Sequence, residues 1–436
     1  MTAIASGAYP LYGLTDDHLA FREVIRRIVV ERVAPRAAEI DATGEFPEDL
    51  RRLFAEHDLF GLPFDEVDDG TGTGTLMLCV AIEEVARACA SSALLLAVQD
   101  LGSLPIRLAG SDELKQRVLP RPASGEWLVA FALSEPDAGS DPSAMCTRAR
   151  RDGDDWLLDG AKNWITNAGV ADVYVVFAIT DSDAPASRGI SACLVEADRP
   201  GFSISRLEHK MGMRGSPTGQ PVLEGVRVPA RNLIGEEGEG FKIAMCTLDH
   251  SRLGIAAQAL GIAQRATDYA AAYARKRIAF GKRIIDLQGI QFKLADMETR
   301  CAAARELLYR AAAKAERRED DLGKYSAMAK LFCSDVAMGV TVEAVQVLGG
   351  YGYVTEYPVE RMMRDAKLTQ IYEGTNEIQR VVIARTLRGS TNLVAWSKRS
   401  SAAIRSLLAT VVDFESAPSY PFTEKLLWKL TSRSRE

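Results

Sequence analysis

Histidine is scarce in this 436-residue chain. The four copies, His18, His57, His209 and His250, are scattered and form no HExxH-type pair, so the common hydrolytic zinc motif is missing. The seven cysteines, Cys79, Cys89, Cys146, Cys193, Cys246, Cys301 and Cys333, are odd in number and contain no CxxC pair. That argues against a disulfide framework and against a metal site. Positive charge is not in excess: 53 Lys and Arg face 59 Asp and Glu, a net charge of −6. The basic footprint of a nucleic-acid binder is therefore lacking. No uninterrupted apolar run reaches transmembrane length. Residues 1–10 lack the basic start and apolar stretch of a signal peptide. The expectation is a reducing, cytoplasmic setting, with no metal, no nucleic-acid partner and no transmembrane segment.

What is present is ordinary globular composition, 47% hydrophobic and 26% charged, which excludes disorder as the global state. At roughly 150 residues per domain the length predicts about three units. Residues 15–119 read as helical. Thr15 can cap a first helix through Phe21, Ile25 and Ile28. Pro47 opens a second helix up to His57, and an Ala- and Leu-rich helix is predicted over 76–98. Between them, the glycines of 65–74 lack a following Lys-Ser/Thr, so a plain flexible loop is expected, not a phosphate loop. From Trp127 the pattern turns to short β-branched runs at 129–133, 173–179, 190–195, 202–204 and 222–228, and to a hairpin with an Asp152-Gly153 turn. An antiparallel barrel or sandwich fits this run of strands. Helices return after Gly240. Over 291–318, Leu294, Met297, Cys301, Ala304, Leu308 and Ala311 alternate spacings of three and four, the seam of an antiparallel bundle. Further helices are predicted over 324–348 and 375–387.

Four segments invite a chemical reading beside a structural one. Leu133-Ser134-Glu135-Pro136-Asp137-Ala138-Gly139-Ser140-Asp141 ends a strand in a polar loop, either a turn or a cradle for a flavin edge or pyrophosphate. Trp164 beside Thr166 is a packing pair or a stacking platform with a hydroxyl for a ring heteroatom. Glu373, before Gly374 and a potential N-cap at Thr375, is a surface carboxylate or a general base with a raised pKa. Asp249 and Arg252, with Arg277 and Gln288, are surface ion pairs or grips for phosphate and adenine.

Taken in order, the motifs at 132–141 (ALSEPDAGSD), 162–167 (KNWITN), 210–218 (KMGMRGSPT), 277–281 (RIAFG), 346–352 (QVLGGYG) and 357–380 (YPVERMMRDAKLTQIYEGTNEIQR) make the chain resemble the acyl-CoA dehydrogenase family, in the flavour of its bacterial short-chain or general members. The resemblance implies an α+β multidomain protein. It comprises an all-α N-terminal domain (1–126), a central antiparallel β-barrel domain (127–238), a C-terminal four-helix bundle (239–389) and an extension of unassigned role (390–436). It implies non-covalent FAD, a homotetramer built as a dimer of dimers, and oxidation of an acyl-CoA to the trans-2-enoyl-CoA with electrons passing to electron-transfer flavoprotein. By the same resemblance Glu373 is the α-proton base. Leu133, Ser134, Gly139, Ser140, Trp164, Ile165 and Thr166 line the flavin. Arg277, Gln288, Gln346, Val347, Leu348, Gly349 and Gly350 reach the adenine–pyrophosphate half from a neighbouring subunit. Thr375, Asn376 and Glu377 complete the cofactor site, and Ser140, Asp249, Arg252 and Gly374 lie by the CoA thioester. In some branches the base sits on the helix of 248–252; this chain has Ser251 at that position. Asp137 stands where the motif usually has Gly. Other readings are a dehydrogenase of a carrier-protein thioester, an acyl-CoA oxidase, and a non-catalytic acyl-CoA-binding scaffold.

Overall fold

Thr15 opens the first helix as its side chain allows: the hydroxyl accepts from His18 N, and α1 (Asp16–Ile28) buries Phe21, Val24, Ile25 and Ile28 on one face. The computed structural model describes residues 14–388, so the extension at 390–436 lies outside the described residues. Pro47 is the N-cap of α2 (Glu48–Glu56), which buries Leu50, Leu53 and Phe54. The single helix expected over 76–98 is instead two, α3 (Gly74–Ala88) and α4 (Ala90–Ala109). Cys89, extended at φ −147° and ψ 109°, separates them. No Gly or Pro marks that break, so helix periodicity alone runs straight through it. The loop before α3 is ordered by backbone bonds from Thr71 N to Gly61 O and Gly72 N to Phe64 O.

The central strands are β1 (Val129–Ala132), β2 (Arg148–Asp152), β3 (Asp155–Ala161), β4 (Ile165–Thr166), β5 (Val173–Ile179), β6 (Ile190–Glu196), β7 (Phe202–Leu207), β8 (Thr218–Pro229) and β9 (Leu233–Ile234). The predicted hairpin at Asp152-Gly153 is β2–β3, in register from Arg148↔Asp159 to Asp152↔Asp155. The predicted closed antiparallel barrel is corrected. The nine strands form one mixed sheet in the order β4-β8-β3-β2-β5-β6-β9, with β1 on β5 and β7 on β8, and its end strands β4 and β9 do not pair. β5 runs parallel to β1 and meets β2 in parallel at Arg148↔Ile179. The reason is the route of the chain. β1 enters from the helical domain, and a crossover of some forty residues through β2–β4 intervenes before β5 pairs with it, which a hairpin cannot do.

The long helices α5 (Gly240–Lys276), α6 (Gln288–Glu316) and α7 (Leu322–Leu348) pack together, with α8 (Val359–Thr369) and α9 (Asn376–Leu387) against α7. The C-terminal unit, expected as a four-helix bundle, is helical, with these three long helices and two short ones. On α6 the predicted seam is buried at Met297, Cys301, Ala304, Leu308 and Ala311. One apolar cluster runs without interruption from Phe21 through Val176 to Ala366. Two buried carboxylates of α3 bind the first and last thirds of the chain: Glu84 pairs with Arg26 at 2.8 Å, and Glu83 with Arg305 at 2.9 Å and with the Tyr309 hydroxyl. α4 and Leu322–Tyr353 are long and apolar enough to cross a bilayer by composition, yet 78% and 50% of those windows is buried inside the protein.

Two of the sequence motifs explain each other. Gly212 and Met213, in the 210–218 segment, dock on α8: Asp365 Oδ1 accepts from Met213 N at 2.6 Å, and Arg364 reaches Met211 O at 2.9 Å and Asp41 Oδ2 at 2.6 Å. A Cβ at Gly212 would sit 2.7 Å from Arg364 C, so glycine is required for the approach. Burial pushes the Asp365 carboxyl up to about 6.

Candidate active site

The chain leaves α8 in a tight turn. Ile371 N and Tyr372 N both bond Leu368 O, at 2.8 and 3.2 Å, and Asn376 N returns to Gln370 O at 3.0 Å. Glu373 lies between these anchors at φ +52°, followed by Gly374 at φ +89°. Left-handed backbone at a glutamate is strained, and the surrounding bonds hold it there. Gln379 Nε2 donates to Glu373 O (3.2 Å) and Gly374 O (2.8 Å), and the Tyr372 hydroxyl bonds Gln258 Oε1. The Glu373 N–H has no acceptor among the described residues. Thr375 caps α9 as its position suggests, its hydroxyl accepting from Ile378 N at 3.4 Å.

α5 forms the facing wall. Ser251 Oγ donates to Glu373 Oε2 at 2.6 Å. Arg252, buried beside it, binds Asp249 Oδ1 at 2.6 Å through Nη1, while its buried Nε has no partner. From α7 comes Lys330, wholly buried, whose Nζ donates to Gly374 O at 2.8 Å and Asn376 Oδ1 at 3.0 Å. Asn376 Nδ2 in turn donates to Ser334 Oγ (2.9 Å) and Asp335 Oδ1 (2.7 Å). Desolvation pushes the Glu373 carboxyl up to about 7, against the Ser251 hydrogen bond and the attraction of Lys330. Desolvation pulls Lys330 down to about 7, against the attraction of Glu373. A carboxyl poised near neutrality can take and return a proton at working pH.

A second group gathers where β1 and β3 end. Asn163 N donates to Ser134 O at 2.9 Å, and Lys162 Nζ to Leu133 O at 3.2 Å and Glu135 Oε1 at 2.7 Å. Glu135 also accepts from Cys146 N and Thr147 N. This buried pair pins the start of the polar loop, ties it to residues 146–147 and leaves Asp137, Gly139 and Ser140 exposed. Burial pulls Lys162 down to about 8, opposed by Glu135. Trp164 sits at φ +61° with 57% of its surface exposed, between the buried Asn163 and Ile165. A large apolar ring held outward by strained backbone is a platform for a planar ligand. Thr166 follows on β4, paired to Thr218.

The third group lies elsewhere on the same chain. Arg277, Val347, Leu348, Gly349 and Gly350 line a cleft of about 490 Å³ with Tyr273 and Tyr351. Added Cβ atoms at Gly349 and Gly350 would meet nothing within 4 Å. Gln346 is exposed on α7, and Gln288 is exposed at the start of α6. Among the described residues no hydrogen bond joins this cleft to the Glu373 corner or to the Trp164 loop.

Sequence profiles of the acyl-CoA dehydrogenase N-terminal, middle and C-terminal domains match residues 15–126, 130–226 and 238–388. The chain belongs to the acyl-CoA dehydrogenase family. It is 49% identical over 380 residues to a probable acyl-CoA dehydrogenase of Mycobacterium tuberculosis, covering 87% of this chain and 97% of that one. Among solved structures it resembles the butyryl-CoA dehydrogenase of Megasphaera elsdenii (TM-score 0.84, 43% identity, 86% of this chain and 99% of that one). It also resembles a glutaryl-CoA dehydrogenase of Mycobacterium smegmatis in complex with FADH2 (TM-score 0.80, 32% identity, 87% and 96%). This acyl-CoA dehydrogenase is thus an FAD-dependent oxidoreductase acting on acyl-CoA. The exposed Trp164 platform and the pinned loop beside it fit a flavin.

Several contributors escaped sequence reading. Lys330 is the foremost; its signal was a lone charge in the apolar run Ala327-Met328-Ala329-Lys330-Leu331-Phe332 of a buried helix. Lys162 and Glu135 fall inside the 162–167 and 132–141 motifs, but only folding pairs them across 27 positions. Glu377, expected at the cofactor, is exposed at the start of α9.

Proposed function

We propose that this acyl-CoA dehydrogenase converts an acyl-CoA thioester to the trans-2-enoyl-CoA with Glu373 as the α-proton base. The observation that carries the reading is the Glu373 carboxyl itself, fixed on a strained corner, desolvated and poised near pH 7. An α-proton of a thioester is weakly acidic, so the enolate charge must be met where it develops. The unpaired Glu373 N–H supplies one donor for the thioester oxygen. Entry of an acyl chain displaces water from the corner and strengthens Glu373 as a base. Ser140, Asp249, Arg252 and Gly374 take the CoA side, supported by the unpartnered buried Nε of Arg252.

FAD held at this site would supply the hydride acceptor for the β-hydrogen. Leu133, Ser134, Gly139, Ser140, Trp164, Ile165 and Thr166 hold its ring system, and Thr375, Asn376 and Glu377 flank it. Arg277, Gln288 and the segment Gln346-Val347-Leu348-Gly349-Gly350 take the adenine–pyrophosphate half of a neighbouring subunit's FAD. That division of labour requires an oligomer, which we assign as a homotetramer. Phe280, 92% exposed at the tip of the short hairpin after Arg277, supports an interface there. Electrons pass on to an electron-transfer flavoprotein in a reducing cytoplasm, a setting supported by seven unpaired cysteines.

The test is anaerobic mixing of FAD-loaded protein with a panel of acyl-CoA thioesters while the visible flavin band is followed. Wild type bleaches with its substrate. Glu373→Gln retains FAD and does not bleach; full bleaching by that variant overturns the base assignment.

A further inference from the structure

The Glu373 corner is built around a group that the proposed chemistry does not use. Lys330 projects from α7 beneath the corner with no exposed surface. Its Nζ bonds the carbonyl of the residue after the base and the side chain of the first residue of α9. An ammonium carries three donors, and two are spent on neutral oxygens. No carboxylate bonds it directly among the described residues. A buried cation without a contact counter-ion is costly. Its charge is compensated only through space, and the first carboxylate to do so is Glu373.

We propose that Lys330 is a positioning residue for the base: its ammonium pins the 374–376 segment and favours the ionised form of the Glu373 carboxylate against the burial that opposes it. This inference rests on the assignment of Glu373 as the base.

The charged and polar groups around the pair are few. From α5, Ser251 donates to the carboxylate, and Arg252 attracts it. From α4, Asp100 repels it. From α7, Asp335 attracts Lys330, as does Glu377 of α9. Arg252 cannot replace Lys330, because its guanidinium is already bound to Asp249 at 2.6 Å. Asp100 is likewise tied to Arg107, at 2.7 Å. Lys330 is therefore the one described cation near the corner whose charge is not already neutralised by a bonded carboxylate. Its second task follows from the backbone. Lys330 shares Gly374 O with Gln379, whose amide also bonds Glu373 O, so both side chains hold the left-handed pair Glu373-Gly374.

The experiment separates charge from anchoring. Lys330→Gln keeps an amide donor toward Gly374 O and removes the charge; Lys330→Arg keeps the charge. The protonation of Glu373 is followed in FAD-loaded protein by infrared difference spectroscopy against pH, its band identified by loss in Glu373→Gln. Flavin bleaching against pH is the second readout. In Lys330→Gln the Glu373 midpoint rises by about one pH unit, and bleaching on the acid side slows about tenfold while the alkaline plateau is kept. Lys330→Arg returns the midpoint toward wild type. An unmoved midpoint in Lys330→Gln, or equal shifts in both variants, overturns the proposal. Should Lys330→Gln fail to fold, the reciprocal measurement decides: the titration of the Lys330 side-chain resonance must move to lower pH in Glu373→Gln than in wild type, and an unchanged titration overturns the proposal. If wild type bleaches with no acyl-CoA, the functional reading fails, while the infrared titration still reads the Lys330–Glu373 coupling.

Discussion

Ser251→Ala perturbs the proposed base by one atom. The Ser251 hydroxyl donates to Glu373 Oε2 at 2.6 Å, so it favours the ionised carboxyl over the protonated one. A hydrogen bond to a charged group contributes about 1.5–3 kcal/mol in general. Part of that is regained, because Lys330 remains and a water can enter the space left by the hydroxyl. A net loss of roughly 1.4 kcal/mol corresponds to about one pH unit. The Glu373 carboxyl, now at about 7, then moves to about 8. At pH 7 the ionised fraction falls from about one half to about one tenth, a roughly fivefold loss. At pH 9.5 nearly all carboxyls are ionised in both proteins, and the difference closes. The assay is stopped-flow bleaching of the flavin by an acyl-CoA, repeated from pH 5.5 to 9.5 for wild type and variant. Parallel profiles offset at every pH would mean that Ser251 shapes the pocket and leaves the base untouched. A midpoint displaced to lower pH would refute the reasoning outright, since losing a donor cannot favour the anion.

Lys162→Met strands the buried Glu135 carboxylate, which keeps two backbone donors but loses its cation. The apoprotein is expected to lose about 3 kcal/mol in denaturant melts and to release FAD on gel filtration. Retention of flavin at wild-type level would show that the loop does not depend on the pair. At the clamp between the 210–218 segment and α8, Asp365→Ala leaves Met213 N–H unpaired and costs about 2 kcal/mol, whereas Asp365→Asn keeps an acceptor and removes a buried charge. Because the folded carboxyl is raised to about 6, its contribution is full below its ordinary range and is lost as pH rises through 6. Asp365→Asn should therefore gain on wild type in thermal melts at pH 8 relative to pH 4.5, and the reverse order of melting temperatures would contradict the burial argument.

The pieces legible in the sequence were those encoded by neighbours along the chain. Thr15 and Thr375 cap helices because a hydroxyl three residues before an N–H can reach it. The Asp152-Gly153 turn fixed a hairpin, and the α6 seam followed from helical spacing. The order of six motifs placed the chain in its family. Partners far apart in sequence were not legible, because no local pattern records them. Tertiary structure decided that β1 pairs in parallel with β5, opening a predicted barrel into a mixed sheet. It broke one apolar helix at Cys89. It brought Ser251 from 122 positions away and Lys330, through Gly374, from 44 to the same corner. Sequence named Glu373 as a carboxylate beside a glycine. Only folding half-buried it, set it at φ +52° and surrounded it with the hydroxyl and ammonium that govern its charge, because desolvation and through-space attraction depend on distances that the chain acquires only when packed.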